Sequence, residues 1–274
     1  MDTTGPVVIG YDASADADLA LAWGLQTAAL TDRPARVLVA APGGHDEDVR
    51  AQQAASRARD AITRDEAVRA DVDVEDGEAL PLLMRAARTA SLVVVGSRGH
   101  NRLEAQWLGS VSQHLAGHAD SPVAVVRPSH NPRARQILVG IDGSAPSDHA
   151  LEYAADRAEL THENIVAVYA FQLPGFIGGG RIGAQATDID TTHIEEAQRT
   201  AAEMIAGVAA AHPDVAVRST AVVGRPGRVL ARLSDDSSLV VVGSRGRNAV
   251  EELVLGSVSQ EALYRADCPV VVVR

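Results

Sequence analysis

Residues 92–101 read LVVVGSRGHN, and residues 239–248 read LVVVGSRGRN. A short run of β-branched apolar residues marks a strand buried on both faces. In each copy the run ends at a glycine, Gly96 or Gly243, and two residues separate it from a second, Gly99 or Gly246. After nine more residues a Gly-Ser pair, Gly109-Ser110 or Gly256-Ser257, opens a segment of helical character. The order strand, glycine loop, helix occurs twice, so the chain is α/β and internally duplicated.

Moving outward, the duplication reaches almost every segment. VVIGYDAS at 7–14 returns as ILVGIDGS at 137–144, an offset of 130, whereas LGSVSQ at 108–113 returns unchanged at 255–260, an offset of 147. The second copy therefore carries an insertion, and the Gly-rich, aperiodic stretch 171–190 reads as a long loop and as the element a ligand would order. Between the copies RPSHNPRAR at 127–135, with two prolines and no apolar run, reads as the connection, with a linker over 129–135 joining domains 1–128 and 136–274. Periodicity in the first copy predicts strands over 7–10, 36–40, 72–74, 92–95 and 123–126. It predicts helices over 15–30, 46–70, 80–89 and 110–119. The second copy repeats the order. The expected fold is two tandem doubly wound, Rossmann-like parallel sheets of five strands each, with ligands bound beyond the carboxyl ends of the strands.

The glycine loop has the makings of a phosphate cradle. Glycines at 96 and 99, and at 243 and 246, let backbone turn and approach a ligand closely. The helix opened by Gly109-Ser110 or Gly256-Ser257 offers unpaired N–H groups and a positive dipole end, with the serine a candidate cap. Arg98 and Arg245 stand inside the loops. Asp12 and Asp142 end the first strands, where an acid either bonds ribose or adenine, holds a metal through phosphates, or caps the following helix.

Composition narrows the chemistry. All 25 basic residues are Arg, so a Schiff-base lysine and a lysine-bearing P-loop are both excluded. A net charge of −11 argues against a general nucleic-acid binder and against docking on anionic membranes. Aromatics are only 3%, so the cores must be built from Ala, Val, Leu and Ile. The lone Cys268 excludes an intrachain disulfide and reads as a small packing residue, and the amino-terminal stretch lacks signal-peptide character, so a cytoplasmic protein is expected. His114 and His118 have metal-binding helical spacing, but their counterparts Glu261 and Arg265 and the missing third ligand favour solvent-facing histidines. No metal centre, nucleophile elbow or general base emerges, so no catalytic residue is expected, and at most slow hydrolysis.

The Gly-x2-Gly-x9-Gly-Ser pattern, with LVVVGSRG before it and VGIDGS at the strand-one end, resembles the universal stress protein family in its tandem two-domain form. The resemblance covers nearly the whole chain. It implies an adenine nucleotide alpha hydrolase-like fold and ATP, with or without Mg2+, in each domain. By position it places the triphosphate on Gly96, Ser97, Arg98, Gly99, His100, Asn101 and Arg102 with Gly109, Ser110 and Val111. In the second copy it falls on Gly243, Ser244, Arg245, Gly246, Arg247, Asn248 and Ala249 with Gly256, Ser257 and Val258. Asp12 and Asp142, following Gly10 and Gly140, match the acid near base and ribose. Val39 and Val168, or their neighbours Ala40 and Tyr169, would offer backbone contacts to adenine. The family's last strand often pairs domains edge to edge, which PVAVV and PVVVV would do within this chain, and a homodimer is compatible. The function implied is a nucleotide-dependent regulator of stress response or growth. The alternatives are a slow Mg-dependent ATPase, a cyclic-AMP binder, and an interaction protein independent of nucleotide. Differences such as His100 against Arg247 predict two sites of unequal affinity.

Overall fold

A computed structural model describes residues 4–63, 68–99, 108–172, 176–177, 180–181, 191–247 and 255–274. The chain divides into two compact units, Met1–Ser129 with Asp267–Arg274, and His130–Ala266. The first runs β1 (Val7–Gly10), α1 (Ala15–Leu30), β2 (Ala35–Ala41), α2 (His45–Ile62), β3 (Ala70–Asp76), α3 (Ala79–Ala87), β4 (Leu92–Gly96), α4 (Ser110–His118) and β5 (Val123–Val126). The second runs β6 (Gln136–Gly140), α5 (Ala145–Thr161), β7 (Asn164–Phe171), the short pair β8 (Phe176–Ile177) and β9 (Gly180–Arg181), α6 (Thr191–Ala211), β10 (Val217–Val223), α7 (Pro226–Leu233), β11 (Leu239–Gly243) and α8 (Ser257–Arg265). The last strand, β12 (Val270–Val273), belongs to the first unit.

Each repeat contributes five strands to the main sheets, as its alternating pattern predicts. In the first unit the order is β12-β5-β4-β1-β2-β3, and in the second β10-β7-β6-β11. Among the described residues β1–β2, β1–β4, β2–β3, β4–β5, β6–β7, β6–β11 and β7–β10 all pair in parallel. In the main sheets β12 runs antiparallel to β5, with Val270 opposite Val125 and Val272 opposite Val123, and the short strands β8 and β9 form a separate antiparallel pair. Strands of continuous Val, Leu and Ile form a sheet covered by helices on both faces, and the central ones are accordingly buried: Ile9, Val93, Val94, Ile137 and Val241 are each 0% exposed.

Two expectations are corrected. Helix α2 stops at Ile62 rather than running to residue 70, and Ala70 already pairs with Ala35 as the start of β3. Ala-Arg-Asp composition is the same on both sides of that boundary. Pairing decides it, because the Arg69 carbonyl accepts the Ala35 N–H at 2.8 Å and the chain must be extended there. Within the stretch read as a plain loop, Phe171 closes β7, and Phe176 and Ile177 pair with Arg181 and Gly180. The rest of that insertion lies outside the described residues. Among the described residues no helix is long and apolar enough to cross a membrane. Cys268 is fully buried, in keeping with a packing role.

One polar tie fastens the end of α6 to α5. The His212 ring pairs with Glu159 at 2.7 Å and with Glu152 at 3.5 Å. The hydrogen bond to Glu159, opposed by partial burial and aided by Glu152, raises the imidazole pKa above its ordinary 6.5. A raised folded-state pKa means that the proton stabilises the fold. That stabilisation is complete below the unfolded-state value and is lost as pH rises through the folded-state value. His212→Gln is therefore expected to lower the unfolding midpoint of this unit at about pH 5.5 and to change it little at about pH 9. Equal losses at both pH values would show that the charge plays no part.

Candidate nucleotide site

The strand order of both sheets reverses at the first strand of each repeat, leaving a crevice beyond the carboxyl ends of β1 and β4, and of β6 and β11. Gly10 and Gly140 end β1 and β6 beneath Leu83 and Leu230, so they are packing positions at the crevice floor. Asp12 and Asp142 follow directly.

The glycine loops are pinned at both ends in the same way. In the first unit the Ser97 carbonyl accepts the Gly109 N–H at 2.8 Å, and the Ser112 hydroxyl donates to the Gly96 carbonyl at 2.7 Å. In the second, the Ser244 carbonyl accepts the Gly256 N–H at 2.8 Å, and the Ser259 hydroxyl donates to the Gly243 carbonyl at 2.6 Å. Loop entry and loop exit are thus held together, and the exit is the start of α4 or α8. Ser112 and Ser259, both buried, were not picked out from sequence. The unchanged LGSVSQ repeat contains them, but the Gly-Ser pair before them carries the more obvious signal.

The loop glycines divide into two roles. A Cβ on Gly96 would lie 2.8 Å from the Asp16 carbonyl carbon, and one on Gly243 would lie 2.6 Å from the Pro146 carbonyl carbon. These two glycines let the first turn of α1 or α5 sit against the strand end, so close helix packing, not ligand approach, requires them. Gly99 and Gly246 face the strand-one acids instead. A Cβ at Gly99 would meet Asp12 Oδ2 at 2.9 Å, and one at Gly246 would collide with Asp142 Oδ2. None of the four has a positive φ, so what the loop needs is space.

The acids and serines behave differently from the capping alternatives. Asp12 Oδ1 accepts the Ser14 N–H at 2.9 Å, while Ser14 itself caps α1 by accepting the Ala17 N–H at 3.2 Å. In the second unit the Ser144 N–H and hydroxyl both donate to Asp142 Oδ1, at 3.0 and 2.6 Å. The other carboxylate oxygen accepts the Arg247 N–H at 3.0 Å, tying strand end to glycine loop. Ser110 and Ser257 do not cap. The N-caps are Gly109 and Gly256, with no side-chain cap bond, and both serines are exposed as the first helical residues. The leading N–H groups of these helices have no intrahelical acceptor, which leaves Ser110, Val111, Ser257 and Val258 as outward donors. His100, Asn101, Arg102, Asn248 and Ala249 lie outside the described residues.

Strand register locates the backbone edge of the crevice. The Leu38 carbonyl accepts the Tyr11 N–H and the Val168 carbonyl accepts the Ile141 N–H, each at 3.0 Å. The Ala41 and Phe171 carbonyls accept the N–H groups of Gly77 and Gly224 on the opposite side, each at 2.8 Å. Backbone groups alternate sides along a strand. Ala40 and Ala170 therefore turn their N–H and C=O toward β1 and β6, past the last residues of those strands. Val39 faces β3, Tyr169 faces β10, and the carbonyl of Val168 is already engaged. Of the four sequence candidates, only Ala40 presents its backbone to the crevice.

The charges are not duplicated. Asp16, only 7% exposed, accepts the Ser97 hydroxyl at 2.6 Å and Arg98 Nε at 3.0 Å. Its counterpart is Pro146, and the matching Arg245 is exposed. His114 and His118 are exposed, with rings stacked at 4.3 Å and His118 Nδ1 bonded to the His114 carbonyl at 2.9 Å. A cavity of about 730 Å3 opens at the opposite, amino-terminal edge of the first sheet, among Pro6, Pro34, Arg36 and Asp73, away from the loops.

The profile described as the universal stress protein family matches twice, over residues 3–127 and 133–274. The chain belongs to the universal stress protein family. It is 32% identical to a universal stress protein of Mycobacterium tuberculosis, covering 98% of this chain and 96% of that one. Identity to a universal stress protein of Mycolicibacterium smegmatis is 31%, over 98% and 96% of the two chains. A crystal structure of a universal stress protein from Archaeoglobus fulgidus shares the fold, with a TM-score of 0.68 at 21% identity, over 99% of this chain and 98% of that one.

Proposed function

We propose that this tandem universal stress protein binds one adenine nucleotide in each unit, ATP with or without Mg2+, and acts in the cytoplasm as a nucleotide-dependent regulator of stress response or growth. The observation that carries the reading is the pinned loop at the switch point. It directs the first amides of α4 and α8 into the crevice whose other wall offers the backbone edge of Ala40 or Ala170. The first-turn amides and the helix dipole suit phosphate, and the edge N–H and C=O suit the paired donor and acceptor of an adenine ring. Asp12 and Asp142, at the strand ends, suit ribose hydroxyls or a phosphate-bound Mg2+. In this reading the protein is a binding module, and any hydrolysis is slow.

A regulator needs two states with different affinity for the ligand, and occupancy of the loops is the natural difference. Purified protein, denatured and its supernatant resolved by anion exchange, is expected to release adenine nucleotide, and added ATP is expected to raise the melting temperature. No released nucleotide together with no thermal shift would overturn the reading and leave the glycines with packing roles alone.

A further inference from the structure

The two sites share the bonds that join loop entry to loop exit but differ beneath them. In the first unit the Asp16 carboxylate lies directly under the loop entry, where Gly96 sits over the Asp16 backbone and Ser97 and Arg98 both donate to Oδ2. Arg98 is thereby committed to an acid of its own unit. Arg127, at the end of β5, is a further cation near enough to feel Asp16. In the second unit Pro146 holds the same place with no charge, Ser244 is buried, and Arg245 is exposed with no acidic partner among the described residues. There the loop also carries Arg247, whose N–H is held by Asp142.

Resting on the nucleotide reading above, we infer that Asp16 sets the first site against highly charged ligands. The first unit favours an adenosine nucleotide with few phosphates, and the second is the triphosphate site. An anion beneath the loop repels each added phosphate and keeps the loop arginine turned inward. The second loop leaves its arginine for the phosphates. An arginine released and a charge removed at this range change the affinity for a polyanion by on the order of tenfold.

Calorimetric titration of the full chain tests this, with ATP and AMP as the probes. In the unmodified protein ATP is expected to fill two sites differing at least about tenfold in affinity, and AMP two sites of nearly equal affinity. Asp16→Asn keeps an acceptor for Ser97 and removes the charge. It should tighten the weaker ATP site about tenfold and leave AMP nearly unchanged. The reciprocal Pro146→Asp, at a first-turn position that favours an acid, should weaken the tighter ATP site by a similar factor, and it carries the test alone if Asp16→Asn does not fold. Nucleotide binding in which neither variant alters the preference for ATP over AMP overturns this inference and leaves the proposed function standing. Weaker ATP binding in Asp16→Asn also overturns it, because Asp16 would then be positioning Arg98 for phosphate. Absence of any nucleotide binding overturns both.

Discussion

Gly243→Ala is expected to destabilise the second unit by about 3 kcal/mol, a fall of roughly 10 °C in melting temperature for a unit of this size, with no nucleotide present. The added methyl meets the Pro146 carbonyl carbon at 2.6 Å and the carbonyl oxygen at 2.7 Å, atoms of the first turn of α5 that cannot rotate away. Helix α5 must lift from β11, and the cost spreads through Leu151, Ala154 and Ala155, all buried beneath it. Gly246→Ala, three residues on, is the control. Its methyl meets chiefly the Asp142 carboxylate, which can turn aside at the cost of some of its bonds to Ser144 and Arg247, so the stability loss should be smaller, about 1–2 kcal/mol, while ATP binding, on the proposed function, falls. Urea denaturation of both variants without ligand decides the matter. Equal losses would mean that the two glycines do not have the separate roles that their surroundings indicate.

Removal of residues 267–274 is the second large effect. Val270, Val271, Val272 and Val273 are each at most 2% exposed, and burying four valines contributes at least about 6 kcal/mol. That is comparable with the whole margin of a small domain. The deletion also leaves Val123–Val126, a strand of four buried apolar residues, with an open edge in place of its antiparallel partner. An unprotected flat apolar edge recruits other chains. The truncated protein is expected in the insoluble fraction, and any soluble part should lose amide-exchange protection in β5. A soluble product with β5 still protected would show that the first sheet is complete without β12.

Much of this was legible because it is local. Strands β1 and β5 and helix α1 have the bounds that their apolar patterns predict, and the glycines that end β4 and β11 lie where the repeat places them. What could not be read needs knowledge of which distant segment comes close. Nothing in GSRG says that Asp16 or Pro146 crosses behind the first glycine, so that glycine reads as a ligand position. Asp16 is not repeated in the second copy, where Pro146 stands, so the duplication that marks the loop glycines does not mark it. Of the residues expected to face the crevice, Ala40 turns its backbone there, whereas Val39 and Tyr169 face the neighbouring strand and Val168 and Val39 are not equivalent. The offset of 130 pairs Val168 with Leu38, and the side to which each backbone group turns depends on register. The end of helix α2 at Ile62 is not legible in the sequence, because helix propensity does not register a partner strand.

The place of β12 also has a consequence during synthesis. Residues 1–129 leave the ribosome as a block that already holds five of the six strands of its sheet, yet the strand that covers β5 is made roughly 140 residues later. At about 5–20 residues per second the nascent chain carries an open β5 edge for somewhere between about 7 and 30 s. The first half of the protein to appear is thus the last to be finished, and the interval is a natural window for a chaperone or for a wrong partner to engage it.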